Sequence, residues 1–209
     1  MTGAKTNPIR TSQPRYFQRV AIFGSADIND QDETYRSAYT AAQLLASEGR
    51  EIVNGGGPGI MQAATDGAHA ANGKVFTISF QPIDAPFFEG KTETNIGDQD
   101  VIAGNYVERL NLLMEHSDAF VIFKGGTGTL SEWMTVWLMA HIYYGHHKPF
   151  VLFGSYWHEV IAVIQKHFYI GKQELRVFRI ADTHADLLRA FQELESEMEL
   201  IKSGKNHAV

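Results

Sequence analysis

The 209-residue chain contains no cysteine. That excludes a disulfide framework, a cysteine-ligated zinc site and a thiol nucleophile. It has no excess of positive charge either: 18 Lys and Arg stand against 24 Asp and Glu, a formal net charge of -6. Nucleic-acid polymers and anionic membranes are drawn to basic clusters, so neither is expected as a partner. No apolar run approaches the ~20 residues that a membrane span requires. The opening segment is polar and lacks the apolar stretch of a secretory signal. A cytoplasmic location is the expectation that follows. No internal repeat or low-complexity segment divides the chain, and its length fits one domain.

What is present is alternation. Residues 1–18 read as a flexible tail carrying Pro8 and Pro14, residues 19–201 as a single domain, and residues 202–209 as a frayed end. Inside the domain, short apolar runs at 19–24, 51–54, 74–80, 99–102, 119–123, 149–153 and 175–180 read as strands. Amphipathic or small-residue stretches at 32–48, 58–71, 105–116, 129–142, 156–168 and 186–200 read as helices. The first carries Tyr35, Ala38, Tyr39, Ala42 and Leu45 on one stripe. Strands alternating with helices imply parallel βαβ units. Continuously apolar strands suit a sheet covered on both faces. The expected fold is α/β: a Rossmann-like, doubly wound, mainly parallel sheet with helices on both faces.

Such a sheet binds ligands beyond the carboxyl ends of its strands. Eight of the 19 glycines fall in three turns there: Gly24; Gly55, Gly56, Gly57 and Gly59; Gly125, Gly126 and Gly128. A glycine-rich strand-to-helix turn lets backbone approach a ligand and aims free amides at it, and the helix dipole favours an anion. Phosphate is the natural guest, and amides can hold it in an acidic protein. The expected ligand contacts are Gly24, Ser25, Asn54, Gly55, Gly56, Gly57, Gly59, Met61, Lys124, Gly125, Gly126, Thr127, Gly128 and Thr129. Each is also an ordinary turn, cap or core residue. Neither larger cluster is a dinucleotide fingerprint or a P-loop: Ile60 stands where a third glycine belongs, and no Gly-Lys-Ser/Thr ending follows the second.

Two residues have competing readings. Thr129-x-x-Glu132 has the spacing of a capping box, in which Glu132 would only reach back to the start of its helix. Arg109 sits at the edge of the apolar stripe of Tyr106, Leu110, Leu113 and Met114, where a snorkelling surface arginine is ordinary. Trp133, Trp137, Tyr143 and Tyr144 form an aromatic face that suits either the core or a dimer seam. His141, His146 and His147 cluster without a carboxylate at metal-site spacing, so no metal is expected. The loop 81–98, with two prolines and the pair Phe87-Phe88, suits either a base-covering loop or a surface excursion.

The ordered set Gly55-Gly56-Gly57-x-Gly59-x-Met61 and Gly125-Gly126-x-Gly128-Thr129-x-x-Glu132 resembles the LONELY GUY family, once described as lysine decarboxylase-like. The resemblance runs from Val20 onward and includes Ser117-Asp118-Ala119-Phe120, Trp137 and Lys148-Pro149. It implies hydrolysis of a nucleoside 5′-monophosphate, AMP-like or a cytokinin riboside monophosphate, to free base and ribose 5-phosphate. It further implies a homodimer, no cofactor, and Arg109 with Glu132 as the catalytic pair. Two positions depart from the family pattern. Lys124 replaces the motif's proline, and Leu110 replaces the lysine after the arginine. A non-catalytic nucleotide or cofactor carrier, similar to molybdenum-cofactor carrier proteins, is the alternative on the same fold.

Overall fold

A computed structural model describes residues 16–83 and 90–204. The expected tail up to residue 15, the pair Phe87-Phe88 and the end beyond residue 204 lie outside these. Among the described residues, seven strands build one sheet: β1 (Arg19–Phe23), β2 (Glu51–Asn54), β3 (Val75–Phe80), β4 (Gln99–Ala103), β5 (Ala119–Ile122), β6 (Phe150–Phe153) and β7 (Phe178–Ala181). Their order is β4-β3-β2-β1-β5-β6-β7, and every pairing is parallel. The chain winds outward from β1 in one direction, then returns to lay β5 on the other side of β1. That reversal opens a crevice at the carboxyl ends of β1 and β5.

The helices are α1 (Glu33–Ser47), α2 (Ile60–Ala70), α3 (Tyr106–Glu115), α4 (Thr127–Ile142), α5 (Tyr156–His167), α6 (Lys172–Leu175) and α7 (His184–Lys202). They cover both faces, as the apolar strands require. On one face α1, α2 and α7 bury Leu45, Ile60, Leu187 and Phe191. On the other, α3, α4 and α5 bury Leu113, Trp133, Trp137 and Trp157. Asp32 starts α1 by accepting a hydrogen bond from the Thr34 amide at 2.7 Å. Complete burial of Leu45 from the same helix contributes about 2 kcal/mol. Helices α1 and α2 approach so closely that a Cβ on Gly67 would lie 2.0 Å from the Tyr39 carbonyl oxygen. This is why α2 is a small-residue helix.

Three expectations need correction. The last strand is Phe178–Ala181, because Lys172–Leu175 forms a short helix. There Glu174 accepts from the Gly171 amide and its own carbonyl accepts from Trp137 Nε1 at 2.7 Å. The tail ends earlier than expected: Phe17 is buried against Phe191, and its carbonyl accepts from the buried Arg50 guanidinium at 2.6 Å. Finally, α4 begins at Thr127, two residues before the expected start. Among the described residues, no helix is long and apolar enough to cross a membrane.

Candidate active site

A cavity of about 280 Å³ occupies the crevice. Of the expected site residues, Gly24, Ser25, Gly55, Met61, Arg109, Gly126, Thr127, Gly128, Thr129 and Glu132 line it. The turns after three strands supply most of them, β1 through Gly24 and Ser25, β2 through Gly55, and β5 through the turn into α4; α2 adds Met61 and α3 adds Arg109. Ser25 is held in place on both sides, since its amide donates to the Lys124 carbonyl at 3.0 Å and its carbonyl accepts from the Ile60 amide at 2.9 Å.

The turn after β5 is the open one. Added Cβ atoms at Gly126 and Gly128 would meet nothing within 4 Å. Helix α4 starts there with no side-chain cap. Its first backbone bond back into the turn is from Leu130 to the Gly126 carbonyl, so the amides of Thr127, Gly128 and Thr129 precede the ladder. Among the described residues these three donors have no partner, and with the positive end of a 16-residue helix they face the cavity. Gly125 is small for another reason: its Cβ would lie 2.1 Å from Thr129 Oγ1. Lys124 is exposed and does not line the cavity.

The turn after β2 is packed with protein. A Cβ at Gly55 would lie 1.6 Å from Arg109 Nη2. One at Gly57 would lie 2.5 Å from the Met61 methyl carbon. Gly59 has φ +64, and a Cβ there would lie 2.2 Å from the Ser25 carbonyl oxygen. The Gly56 amide donates to Asn54 Oδ1 at 2.8 Å. Asn54 was expected at the ligand; instead it is wholly buried and bonds Thr65, which bonds Asn95, which bonds the Gly57 carbonyl. This buried relay fixes the turn from behind, so Asn54 belongs to the frame. Gly56, Gly57 and Gly59 likewise stand behind the cavity wall rather than in it.

Arg109 and Glu132 meet in the cavity. Asn105 caps α3 by accepting from the Glu108 amide at 2.9 Å, and Glu108 reaches back to the Gly104 amide at 2.8 Å. This fixes the start of α3 and turns Arg109 inward. Its Nε donates to the Ile78 carbonyl at 3.0 Å and its Nη1 to Glu132 Oε1 at 3.2 Å. Both residues are less than a tenth exposed, so Arg109 is no snorkelling surface residue. The capping-box reading of Thr129 and Glu132 is corrected by the early start of α4. Both residues lie within the helix, and Glu132 points across to α3. Burial pushes the Glu132 carboxyl above the ordinary carboxylate range, and the Arg109 charge opposes that rise without cancelling it. A buried carboxylate held high beside a fixed cation suits a base or a charge stabiliser.

Sequence reasoning missed Phe23, Ala26, Asp27, Gly90 and Tyr106, which also line the cavity. Tyr106 was readable: it lies one helical turn before Arg109 and therefore on the same face. The histidine cluster stands apart. Among the described residues no three His, Asp or Glu side chains gather as a metal site. His147 is buried, stacks on Tyr144 at 4.9 Å, and accepts from the Gly145 amide through Nδ1 at 3.2 Å. Burial pushes it down to about 4. Trp133 and Trp137 are core residues, stacked at 5.5 Å.

The fold and cavity define a doubly wound α/β protein with an open, uncapped helix start beside a buried arginine–carboxylate pair. Residues 61–191 match the family model described as "Possible lysine decarboxylase", and the chain belongs to this family, the LONELY GUY family that its motifs resemble. It is similar to a probable cytokinin riboside 5′-monophosphate phosphoribohydrolase of Oryza sativa, 27% identical over 185 residues, covering 85% of this chain and 72% of that protein. A cytokinin riboside 5′-monophosphate phosphoribohydrolase of Arabidopsis thaliana is 30% identical over 156 residues, covering 72% of this chain and 65% of that one. Among solved structures, the molybdenum cofactor carrier protein of Chlamydomonas reinhardtii shares the fold, with TM-score 0.60 and 19% identity over 88% of this chain and 99% of that chain.

Proposed function

We propose that the chain hydrolyses the N-glycosidic bond of a nucleoside 5′-monophosphate to free base and ribose 5-phosphate. The observation that carries this reading is the buried Arg109–Glu132 pair in the same cavity as the free amides of the α4 turn. The 5′-phosphate sits on the amides of Thr127, Gly128 and Thr129. The ribose then lies over Glu132. As the bond from C1′ to the base nitrogen breaks, its electron pair leaves with the base and positive charge grows on the sugar ring, as in glycoside hydrolysis. The Glu132 carboxylate stabilises that charge and takes a proton from the water that adds to C1′, while the departing base nitrogen takes its proton from solvent, so that neutral free base forms. Arg109 keeps Glu132 aimed at the sugar and does not serve as an acid, because a guanidinium holds its proton. The names of the Oryza and Arabidopsis relatives support this reaction.

The same reading extends to a homodimer. Leu130, Met134, Leu138 and Ile142 form an exposed apolar stripe on α4, each at least two-fifths exposed. Such a stripe suits a second copy of the chain. Sedimentation equilibrium should give a dimer mass; a monomer at micromolar concentration rejects the assignment.

The deciding assay incubates the protein with a panel of nucleoside 5′-monophosphates and reads free base and ribose 5-phosphate. Release of both from at least one nucleotide is expected. Tight binding without release from any would favour the carrier reading, which the shared fold of the Chlamydomonas protein supports.

A further inference from the structure

Seven buried side-chain polar atoms among the described residues have no hydrogen-bond partner. Buried polar groups normally find one, so each exception asks for a reason. Trp133 and Trp157, whose rings pack edge to face at 4.6 Å, lie in the core away from the cavity surface. Of the seven, only the Tyr106 hydroxyl belongs to a residue that lines the cavity. Its nearest ring neighbour, Phe80, lies edge-on at a centroid distance of 6.1 Å and offers no acceptor atom.

Topology says which part of a ligand Tyr106 meets. It begins α3, directly after β4, and packs on Phe80 at the end of β3. The free amides of α4 follow β5. Strands β2 and β1 lie between β3 and β5, a separation of about 14 Å at the usual interstrand spacing. Tyr106 and the phosphate turn therefore stand at opposite ends of one cavity, with Arg109 and Glu132 between them. A nucleotide whose phosphate is on the α4 turn and whose sugar is over Glu132 extends its base towards Tyr106.

We propose that Tyr106 is a specificity-determining residue whose hydroxyl donates a hydrogen bond to an acceptor atom of the nucleobase. The inference rests on the phosphate lying on the α4 turn, as in the reading above. It explains why a phenol stands where a phenylalanine would satisfy the apolar surroundings. Without ligand the hydroxyl has no partner; with a base bound it gains one. A site built around such a donor rejects bases that present no acceptor there, because the hydroxyl is then left unpaired.

The test compares the wild-type protein with Tyr106→Phe, using binding of AMP, the other common nucleoside 5′-monophosphates and ribose 5-phosphate by titration calorimetry. Tyr106→Phe should bind the wild type's preferred nucleotide at least tenfold more weakly and bind ribose 5-phosphate unchanged. Its preference among bases should flatten. Its melting temperature should match or exceed that of wild type, since the lost hydroxyl had no partner. Equal nucleotide affinity in the two proteins would overturn the inference. So would a loss of ribose 5-phosphate affinity as large as the loss for the nucleotide, which would mark a merely structural role. If wild type binds nucleotides without cleaving them, hydrolysis fails as the function while the affinity difference still decides on Tyr106. If wild type binds neither ligand, both readings fall.

Discussion

At the end of β2, four glycines are pressed against protein; at the end of β5, Gly126 and Gly128 face open space. The two sequences look alike, and both read as phosphate cradles. Their glycines solve different problems. Gly55 gives way to the Arg109 guanidinium, Gly57 to Met61 and Gly59 to the Ser25 carbonyl, so the first turn is shaped by contacts within the chain. The second leaves its helix amides outside the ladder and the Cβ directions of Gly126 and Gly128 empty, so no contact among the described residues accounts for those two glycines. A glycine-rich turn thus marks close approach, and only the geometry tells whether protein or ligand approaches. The first turn builds the wall that holds Arg109, and the second is the one proposed above to receive the phosphate.

The predictions separate these roles. Glu132→Gln, between the two turns, keeps an oxygen for Arg109 and removes the charge; turnover should fall at least about 100-fold while nucleotide binding persists. In the wild type, kcat/KM should rise with pH through a midpoint above the ordinary carboxylate value, because Glu132 works deprotonated and burial raises its pKa. Retained turnover in Glu132→Gln rejects the catalytic role. Next in size is Gly59→Ala, in the packed turn. It forces a side chain into φ +64 and against the Ser25 carbonyl, and should destabilise by roughly 3 kcal/mol in denaturant titration. Unchanged stability would show that this turn is as open as the other.

A third prediction keeps the pH response of the frame apart from that of the cavity. His147 is held neutral chiefly by burial, and its Nδ1 accepts from the Gly145 amide. Its pKa in the folded protein, about 4, lies below the unfolded value near 6.5. The unfolded chain therefore takes up the proton first, and stability is lost as pH falls from about 6.5 towards 4, by on the order of 2 kcal/mol. His147→Gln should flatten that part of the stability curve and leave the acid limb of kcat/KM in place. A change in the kinetic limb would mean that the two responses are coupled. The smallest effect belongs to the open turn. Gly128→Ala adds a methyl to a helix start with free space around it, and should stabilise by about 0.5–1 kcal/mol. The same methyl protrudes towards the phosphate position and should weaken ribose 5-phosphate binding several-fold. Loss of stability in this variant would contradict the open geometry.

Much of this was legible beforehand. Alternating apolar runs revealed the doubly wound sheet because buried parallel strands need no polar face. The family motif pointed to Arg109 and Glu132, which the structure brings within hydrogen-bond distance. Asn54 misled because its side chain and a ligand contact have the same chemistry, and only the burial of Thr65 and Asn95 around it shows where its bonds go. The competing capping-box reading fitted the local spacing of Thr129 and Glu132, but α4 begins at Thr127 and Glu132 bonds Arg109 of another helix. Tyr106 was overlooked as one more apolar-stripe residue. Its hydroxyl becomes conspicuous only when the described residues around it are placed and none bonds it.

The most direct measurement is a crystal structure of the Glu132→Gln protein with AMP bound. The phosphate should lie within hydrogen-bond distance of the Thr127, Gly128 and Thr129 amides, with C1′ of the ribose beside residue 132 and no anion on the turn at 55–59. A phosphate held by the amides of that first turn, or a nucleotide bound outside the cavity, would contradict the division of labour between the two turns.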